Sequence, residues 1–291
     1  MKNTIKKIAA ATLSIALLAG CSASSTASSS SSSASDKVIK VGATSVPHAE
    51  ILNNVVKDVL KDAGYTLEVT EFTDYVTPNT ALEEGSLDAN YFQTLTYMND
   101  QNTKNGLHLV AAVGVHIEPM GIYSSKLKAV SDLKDGDSIG VPNDSDNLDR
   151  ALRLLVQKGL LQDPGTKDYV TETTFNGNAT LNPHNYKITP VEAAQVARSI
   201  DDFAVAVVNG NYALEAKLPD SHPALTIEDF DTQAKINRTN FIVVKQGSES
   251  SEKTQALVKA ITSDKVKQYI EDTYKGSVIA SFIDKDGKAV N

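Results

Sequence analysis

From Val38 to Tyr274 the chain keeps switching between two hydrophobic periods, and that alternation narrows the fold more than any other feature. Val38–Ala43 alternates apolar and polar residues around Gly42, the pattern of a strand entering a turn. Ile51, Leu52, Val55, Val56, Val59 and Leu60 then form one helical stripe that stops at Gly64. Leu67–Phe72 reads as a second strand. Thr77-Pro78 opens a helix, since proline at the first helical position gives up an N–H that has no partner there. Further strands are expected at Leu87–Ala89, Leu107–Val115 and Ile117–Tyr123. A new unit begins with Ser138–Val141 and passes through Pro142-Asn143-Asp144 into a helix over Asn147–Lys158. Val191–Ile200 reads as helix, Phe203–Val208 as a short buried strand and Asn240–Lys245 as another strand. Helices over Ser251–Thr262 and Val266–Tyr274 close the pattern. Such alternation implies an α/β fold, with mostly parallel sheet and helices on both faces. The roughly 255 residues after Asp36 leave room for two such units with a cleft between them. Ligands of open α/β sheets bind outside the carboxyl ends of the strands, so the loops there are the place to look.

The segment ahead of this region has a different logic. Met1–Lys7 carries Lys2, Lys6 and Lys7 and no acid, and Ile8–Leu18 is mostly Ala, Ile and Leu. That apolar run is about a dozen residues, short of the ~20 a spanning helix needs. Residues 1–20 therefore read as a secretory signal. The sequence Leu18-Ala19-Gly20-Cys21 resembles the bacterial lipoprotein box, in which the cysteine thiol is alkylated by a diacylglycerol. The resemblance implies a lipid anchor at Cys21, with the mature chain held to the cell membrane on its extracytoplasmic side. Each buried CH₂ of an acyl chain contributes roughly 0.8 kcal/mol, so two or more chains anchor durably. Residues 21–36 hold the lipidated cysteine and a serine-dominated run, Ser22–Ser35, with too little apolar area to order itself. It reads as a flexible tether. Cys21 is the single cysteine, so the core has to hold without a disulfide.

The net charge of −8 becomes −11 once Lys2, Lys6 and Lys7 are removed with the signal. An acidic chain without a basic run argues against nucleic acid as a partner. Catalytic signatures are missing too: there is no Gly-x-Ser-x-Gly, no His-Glu-x-x-His and no phosphate-cradling glycine loop. His48, His108, His116, His184 and His222 are scattered, with no pair at metal-ligand spacing, so neither a metal nor another cofactor is expected. Glu83-Glu84 and Asp201-Asp202 read as solvated faces.

Three places carry chemistry that suits a small ligand. Asn90-Tyr91-Phe92-Gln93-Thr94-Leu95-Thr96-Tyr97 combines aromatic rings with amides and hydroxyls, and with Tyr75 it makes a candidate pocket wall. Core packing is the competing reading, and for Phe72 the preferred one. Arg150, beside an expected helix start, offers a guanidinium fork and free backbone N–H groups to a carboxylate. The alternative is a surface pair with Asp146 or Asp149. Asn209 and Asn211 flank Gly210 right after a buried strand, where amide oxygens can accept from an ammonium group.

Together these segments resemble the methionine-binding lipoproteins of bacterial ABC importers, the NlpA or MetQ family. The resemblance rests on Val46-Pro47-His48-Ala49-Glu50-Ile51-Leu52, Glu71-Phe72-Thr73-Asp74-Tyr75 and Leu87-Asp88-Ala89-Asn90-Tyr91-Phe92-Gln93. It continues through Val115-His116-Ile117-Glu118-Pro119-Met120-Gly121, Ile139-Gly140-Val141-Pro142-Asn143-Asp144 and Asn209-Gly210-Asn211-Tyr212-Ala213. It implies a two-lobed periplasmic-binding-protein fold of type II with a ligand cleft. Residues 37–120 and 243–291 would form one lobe and 121–242 the other. It implies a non-enzymatic, monomeric receptor that binds L-methionine or a close relative and hands it to an ABC permease and its ATPase. Arg150 would clamp the carboxylate, and Asn209, Asn211 and Asn240 would bind the amino and carboxylate ends. Tyr75, Phe92 and Tyr97 would enclose the side chain, where a thioether gains roughly 0.3–1.5 kcal/mol per aromatic contact. Arg150→Ala is then expected to abolish binding and leave folding intact.

Two stretches depart from the family pattern. Thr94 stands where the family has histidine and Thr96 where it has proline, in a Phe-Gln-His-x-Pro run; Asp144-Ser145-Asp146-Asn147 replaces Asp-Pro-Thr-Asn. The smaller Thr94 leaves a methionine-containing dipeptide or another apolar amino acid open as ligand. An exported lipoprotein enzyme acting on amino-acid derivatives, or an adhesin or sensor on the same fold, are the readings from other classes.

Overall fold

The computed structural model describes residues 37–290. The signal segment, Cys21 and the serine-rich tether lie outside the described residues.

Among the described residues, eleven strands form two sheets. In the first, β1 (Val38–Thr44), β2 (Thr66–Phe72), β3 (Ala89–Thr94), β4 (Leu109–Ile117), β10 (Thr239–Lys245) and β11 (Ile279–Ala280) lie in the order β11-β4-β10-β3-β1-β2. In the second, β5 (Gly121–Tyr123), β6 (Ser138–Pro142), β7 (Lys187–Val191), β8 (Val205–Val208) and β9 (Thr226–Ile227) lie in the order β7-β6-β8-β5-β9. Within each sheet the strands joined through helices pair in parallel: β1 with β2 and β3, and β6 with β7 and β8. β11 pairs antiparallel with β4 at the edge of the first sheet, and the other antiparallel pairs sit where the chain passes between sheets. β5 enters the second sheet directly from β4 and pairs antiparallel with β8 and β9. β10 returns to the first sheet and wedges antiparallel between β3 and β4. The sheets are therefore mixed, because two strands arrive from the other sheet and not through a local crossover helix.

Side-chain alternation along the central strands shows why each sheet is covered on both faces. On β10, Ile242 and Val244 join the core formed with Ile39, Val41, Leu52, Leu60, Leu257 and Ile270, while Phe241 and Val243 face Leu82, Leu87, Met98 and Leu109. On β8, Val205 and Val207 pack with Leu148, Leu152, Leu155 and Phe175, and Ala206 and Val208 with Val196, Phe203 and Tyr212. Two three-layered α/β lobes result. Phe72 packs against the first-sheet core.

Several expected boundaries move. The strand expected at Leu87–Ala89 runs over Ala89–Thr94, which puts Phe92 and Thr94 at a strand's carboxyl end. The helix expected over Val191–Ile200 shrinks to Ala193–Val196 plus a single turn at Ile200–Asp202, where Ser199, Asp201 and Asp202 favour turn over helix. All of β10 belongs to the first sheet, so the second crossing falls before Thr239 and the division expected between 242 and 243 would cut that strand.

Candidate ligand-binding site

A cavity lies where carboxyl ends of strands from both sheets meet. Tyr75 comes from the loop after β2, Phe92 and Thr94 from the end of β3, and Tyr97 from the helix Leu95–Asn105 that follows. Arg150 comes from the helix after β6, Asn209 and Asn211 from the end of β8 and the helix Gly210–Glu215, and Asn240 from β10. All eight positions singled out from the sequence line this one space. Gln93, Glu118, Asn147 and Gly210 complete the wall and were not singled out.

The helix carrying Arg150 starts at Ser145, earlier than expected, with Asp144 as its cap: the Asp144 carboxylate accepts from the Asn147 backbone N–H at 3.0 Å. Arg150 therefore sits in the second turn, and its guanidinium reaches the cavity beside Asn147 of the first turn. It pairs with neither Asp146 nor Asp149. Its Nε donates to both Glu228 carboxylate oxygens at 3.2 and 3.0 Å, and its Nη2 donates to Glu228 at 2.6 Å and to the Glu118 carbonyl at 3.0 Å. Burial works against the charge, but Glu228, Asp146 and Glu118 outweigh it and hold the guanidinium protonated. Nη1 has no partner among the described residues and is left for a ligand. Because buried Arg150 is paired with the Glu228 carboxylate, whose side chain is only 11% exposed, its loss is expected to cost stability as well as binding, which revises the expectation from sequence.

The two asparagines around Gly210 present opposite groups. Asn147 Nδ2 is tied to the Asp144 carboxylate at 3.0 and 3.1 Å, so its Oδ1 must face Asn209, whose Nδ2 donates to it at 2.7 Å. Asn209 Oδ1 is left as a buried acceptor without a partner. Asn211 Oδ1 accepts from the Tyr75 hydroxyl at 2.5 Å, which leaves its Nδ2 as a buried donor without one. Buried polar atoms are almost always paired. Four side-chain atoms among the described residues break that rule, and two of them line this cavity.

Aromatic rings close the other side. Tyr75 lies with its ring centroid 5.8 Å from Phe92 and 5.7 Å from Tyr97, and it stacks on Tyr212 at 4.9 Å. Burial raises the Tyr75 and Tyr97 hydroxyls well above the usual phenol range, so both stay neutral. Thr94 lines the cavity, but its hydroxyl caps the following helix by accepting from the Tyr97 N–H at 3.3 Å.

Behind Glu118 the fold assembles a cluster that residue spacing did not reveal. His116 Nε2 donates to Glu118 Oε1 at 2.5 Å, and His48 Nε2 lies 3.3 Å from the same oxygen and 3.1 Å from Asn240 Oδ1. The remaining nitrogens pair with the Tyr91 and Thr44 hydroxyls. Burial drives His48 down to about 4 and His116 to about 3, so both rings are neutral. Burial also raises the Glu118 carboxyl. The signal was present in His116-Ile117-Glu118, where alternate residues of a strand end share one face.

A family model described as NlpA lipoprotein matches residues 39–282. The chain belongs to the NlpA lipoprotein family. Among its relatives, the methionine-binding lipoprotein MetQ of Bacillus subtilis is 37% identical over 252 residues, covering 84% of this chain and 88% of that protein. A lipoprotein structure from Ruminococcus gnavus aligns with a TM-score of 0.78 at 47% identity, covering 84% of this chain and 99% of that one. A nutrient-binding protein from Burkholderia cenocepacia, solved bound to methionine, aligns with a TM-score of 0.77 at 38% identity, covering 84% and 100%. The two α/β lobes and intervening cavity are thus the NlpA-family form of the two-lobed binding-protein fold, whose members are substrate-binding proteins and lipoproteins.

Proposed function

We propose that this NlpA-family chain is the substrate-binding lipoprotein of an ABC importer, taking up L-methionine or a close relative and delivering it to a permease and its ATPase. The observation that carries the reading is the pairing, in one small cavity, of a guanidinium with a free Nη1 and an aromatic wall of Tyr75, Phe92 and Tyr97. Arg150 Nη1 and Asn211 Nδ2 are donors suited to a carboxylate, and Asn209 Oδ1 and Asn240 offer acceptors at the amino end. The rings supply apolar area and sulfur–aromatic contact to a thioether side chain. The methionine-bound Burkholderia protein supports the ligand class.

The receptor reading is also favoured over an enzyme by relatives such as the methionine-binding lipoprotein MetQ of Bacillus subtilis, named for binding. In this reading Cys21 carries the lipid anchor, and Ser22–Ser35 lets a monomeric body rotate on the extracytoplasmic face of the membrane. Ligand touching both lobes shifts an open–closed equilibrium toward closure.

Calorimetry of the folded domain with L-methionine, D-methionine, glycyl-methionine and leucine tests the reading, with mass spectrometry of the freshly purified protein for carried-over ligand. Binding strongest for methionine is expected. No binding across the panel and no co-purified ligand would overturn it.

A further inference from the structure

β3 contains one residue more than its neighbour can match. Phe241 and Ile242 are consecutive on β10, yet they pair with Gln93 and Tyr91, so Phe92 is the extra residue of a β-bulge. A bulge resets the alternation of faces. Asn90 and Gln93, three apart, would point to opposite faces of a regular strand. Here both meet Asn79 of the helix Thr77–Glu83. Tyr91 turns to the other face and joins the core around Ile39 and Val41, while Phe92 lines the ligand cavity.

A buried triad of amides holds this irregular geometry. Asn79 Nδ2 donates to Gln93 Oε1 at 2.9 Å, and Gln93 Nε2 donates back to Asn79 Oδ1 at 2.6 Å. Gln93 Nε2 also donates to Asn90 Oδ1 at 2.9 Å. Asn90 Nδ2 donates to Asn79 Oδ1 at 2.8 Å and to the Pro78 carbonyl at 3.3 Å. None of the three residues is more than 2% exposed. Gln93 lines the cavity, but its Nε2 donates within the triad to both Asn79 and Asn90, so that amide has no N–H left for a ligand. A buried polar network whose members are satisfied specifies one arrangement of the elements it joins.

That arrangement reaches the aromatic wall from both ends. Phe92 lies in the chain between Asn90 and Gln93. Tyr75 is coupled to Asn79 through the helix start, where the Asp74 carboxylate accepts from the Val76 and Thr77 N–H groups, both at 2.7 Å, and Asn90 grips the Pro78 carbonyl. The triad therefore ties the loop carrying Tyr75 to the bulge carrying Phe92, and their rings stand 5.8 Å apart.

We propose that Asn79, Asn90 and Gln93 are positioning residues that fix the spacing of Phe92 and Tyr75 and so set the preference for a long, unbranched ligand side chain. Dispersion contact falls steeply with a gap of a fraction of an ångström, so a relaxed bulge loosens the grip on the far end of the side chain. Groups that hold the amino and carboxylate ends lie on other elements and keep their places. The proposal rests on the receptor reading above and adds to it the device that sets side-chain selectivity.

Calorimetry with L-methionine and L-2-aminobutyrate, which lacks the terminal S–CH₃, tests it on the purified protein. Wild type is expected to favour methionine by about thirtyfold or more. Gln93→Met keeps the side-chain length but removes the amide; it should weaken methionine about tenfold and 2-aminobutyrate by less than about twofold. Asn79→Ser is the milder change to use if that variant does not fold, and should lower the preference about threefold. Asn182→Ala removes a buried amide of the second sheet's lobe, one that holds Tyr186 through its backbone. It should lower the urea midpoint and leave the preference unchanged, since lost stability alone affects both ligands equally. An unchanged preference in Gln93→Met and Asn79→Ser, or an equal loss for both ligands, would overturn the proposal and leave the receptor reading standing. A preference that falls as far in Asn182→Ala would overturn it too. Wild type that binds neither ligand would overturn both.

Discussion

Thr96 Oγ1 donates to Asp146 Oδ2 at 3.0 Å, joining the first-sheet lobe to the second across the cleft. These are two of the positions that depart from the family pattern, and the fold makes them partners. Arg238 completes the junction: its Nη1 donates to Thr96 Oγ1 at 2.9 Å and reaches the Asp146 carboxylate at 3.4 and 3.5 Å. The neighbouring Ser145 also departs, and its hydroxyl donates to Asp100 at 2.9 Å. A turn that loosened in isolation would be a defect, whereas this one exchanges proline rigidity for polar contacts between lobes.

Those contacts should stabilise the closed form. Thr96→Val removes one hydrogen bond to a charged group, worth about 1 kcal/mol or somewhat more net, and is expected to weaken methionine binding roughly fivefold. Asp146→Asn should cost more, because among the described residues Arg238 then keeps Glu228, 3.8 Å away, as its one carboxylate partner. A double-mutant cycle on affinity checks the link: a coupling of about 1 kcal/mol between the two sites is expected, and strict additivity would show that they act separately.

Arg150 and Glu228 form the second test. Arg150→Ala should destabilise the domain by about 3–5 kcal/mol, the usual cost of leaving one member of a buried ion pair alone, and abolish methionine binding. Adding Glu228→Gln should recover much of the stability and none of the binding. Urea unfolding and calorimetry on the same samples separate the two effects. Full stability in the single variant would mean that the pair is solvated.

How far the sequence could be read shows in these residues. The lining residues were accessible because aromatic, amide and guanidinium groups cluster in short stretches whose resemblance to a known family is dense. Strands such as β8 and β10 were accessible from continuous apolar runs. The partner of Arg150 was not. Glu228 sits in the crossing segment before Thr239 with no periodicity to mark it, and the nearer acids Asp146 and Asp149 are engaged by Arg238 and Arg153. The His48–Glu118–His116 cluster was hidden for a similar reason: it forms only when β1 and β4 lie in one sheet, which local pattern does not specify. The antiparallel entry of β5 and β10 is likewise set by the path between lobes.

Thr94 separates a structural role from a ligand role. Its hydroxyl caps the helix Leu95–Asn105, so Thr94→Val should lower stability by about 1 kcal/mol, with Thr94→Ser close to wild type. Methionine affinity should change less than threefold in both. A tenfold loss of affinity with unchanged thermal midpoint would instead make the hydroxyl a ligand contact.

Acid stability follows from the two buried imidazoles. Both are held neutral in the folded chain, His48 with its pKa at about 4 and His116 at about 3, against 6.5 for the free side chain. Between those values the unfolded chain binds protons that the folded one refuses, so stability is fully present above pH 6.5 and falls as the pH drops through 6 and 5 toward the folded values. Glu118 works in the opposite direction, since burial raises its pKa and the folded state takes up that proton first. Two imidazoles outweigh one carboxylate, and the net loss should be roughly 1 kcal/mol per pH unit between pH 6 and pH 5. Urea midpoints at pH 7.5, 6.0 and 5.0 measure it, with His116→Asn expected to remove most of the dependence. A midpoint that holds steady or rises from pH 7.5 to 5.0 would mean that the rings are protonated in the folded protein, with Glu118 as their counter-ion.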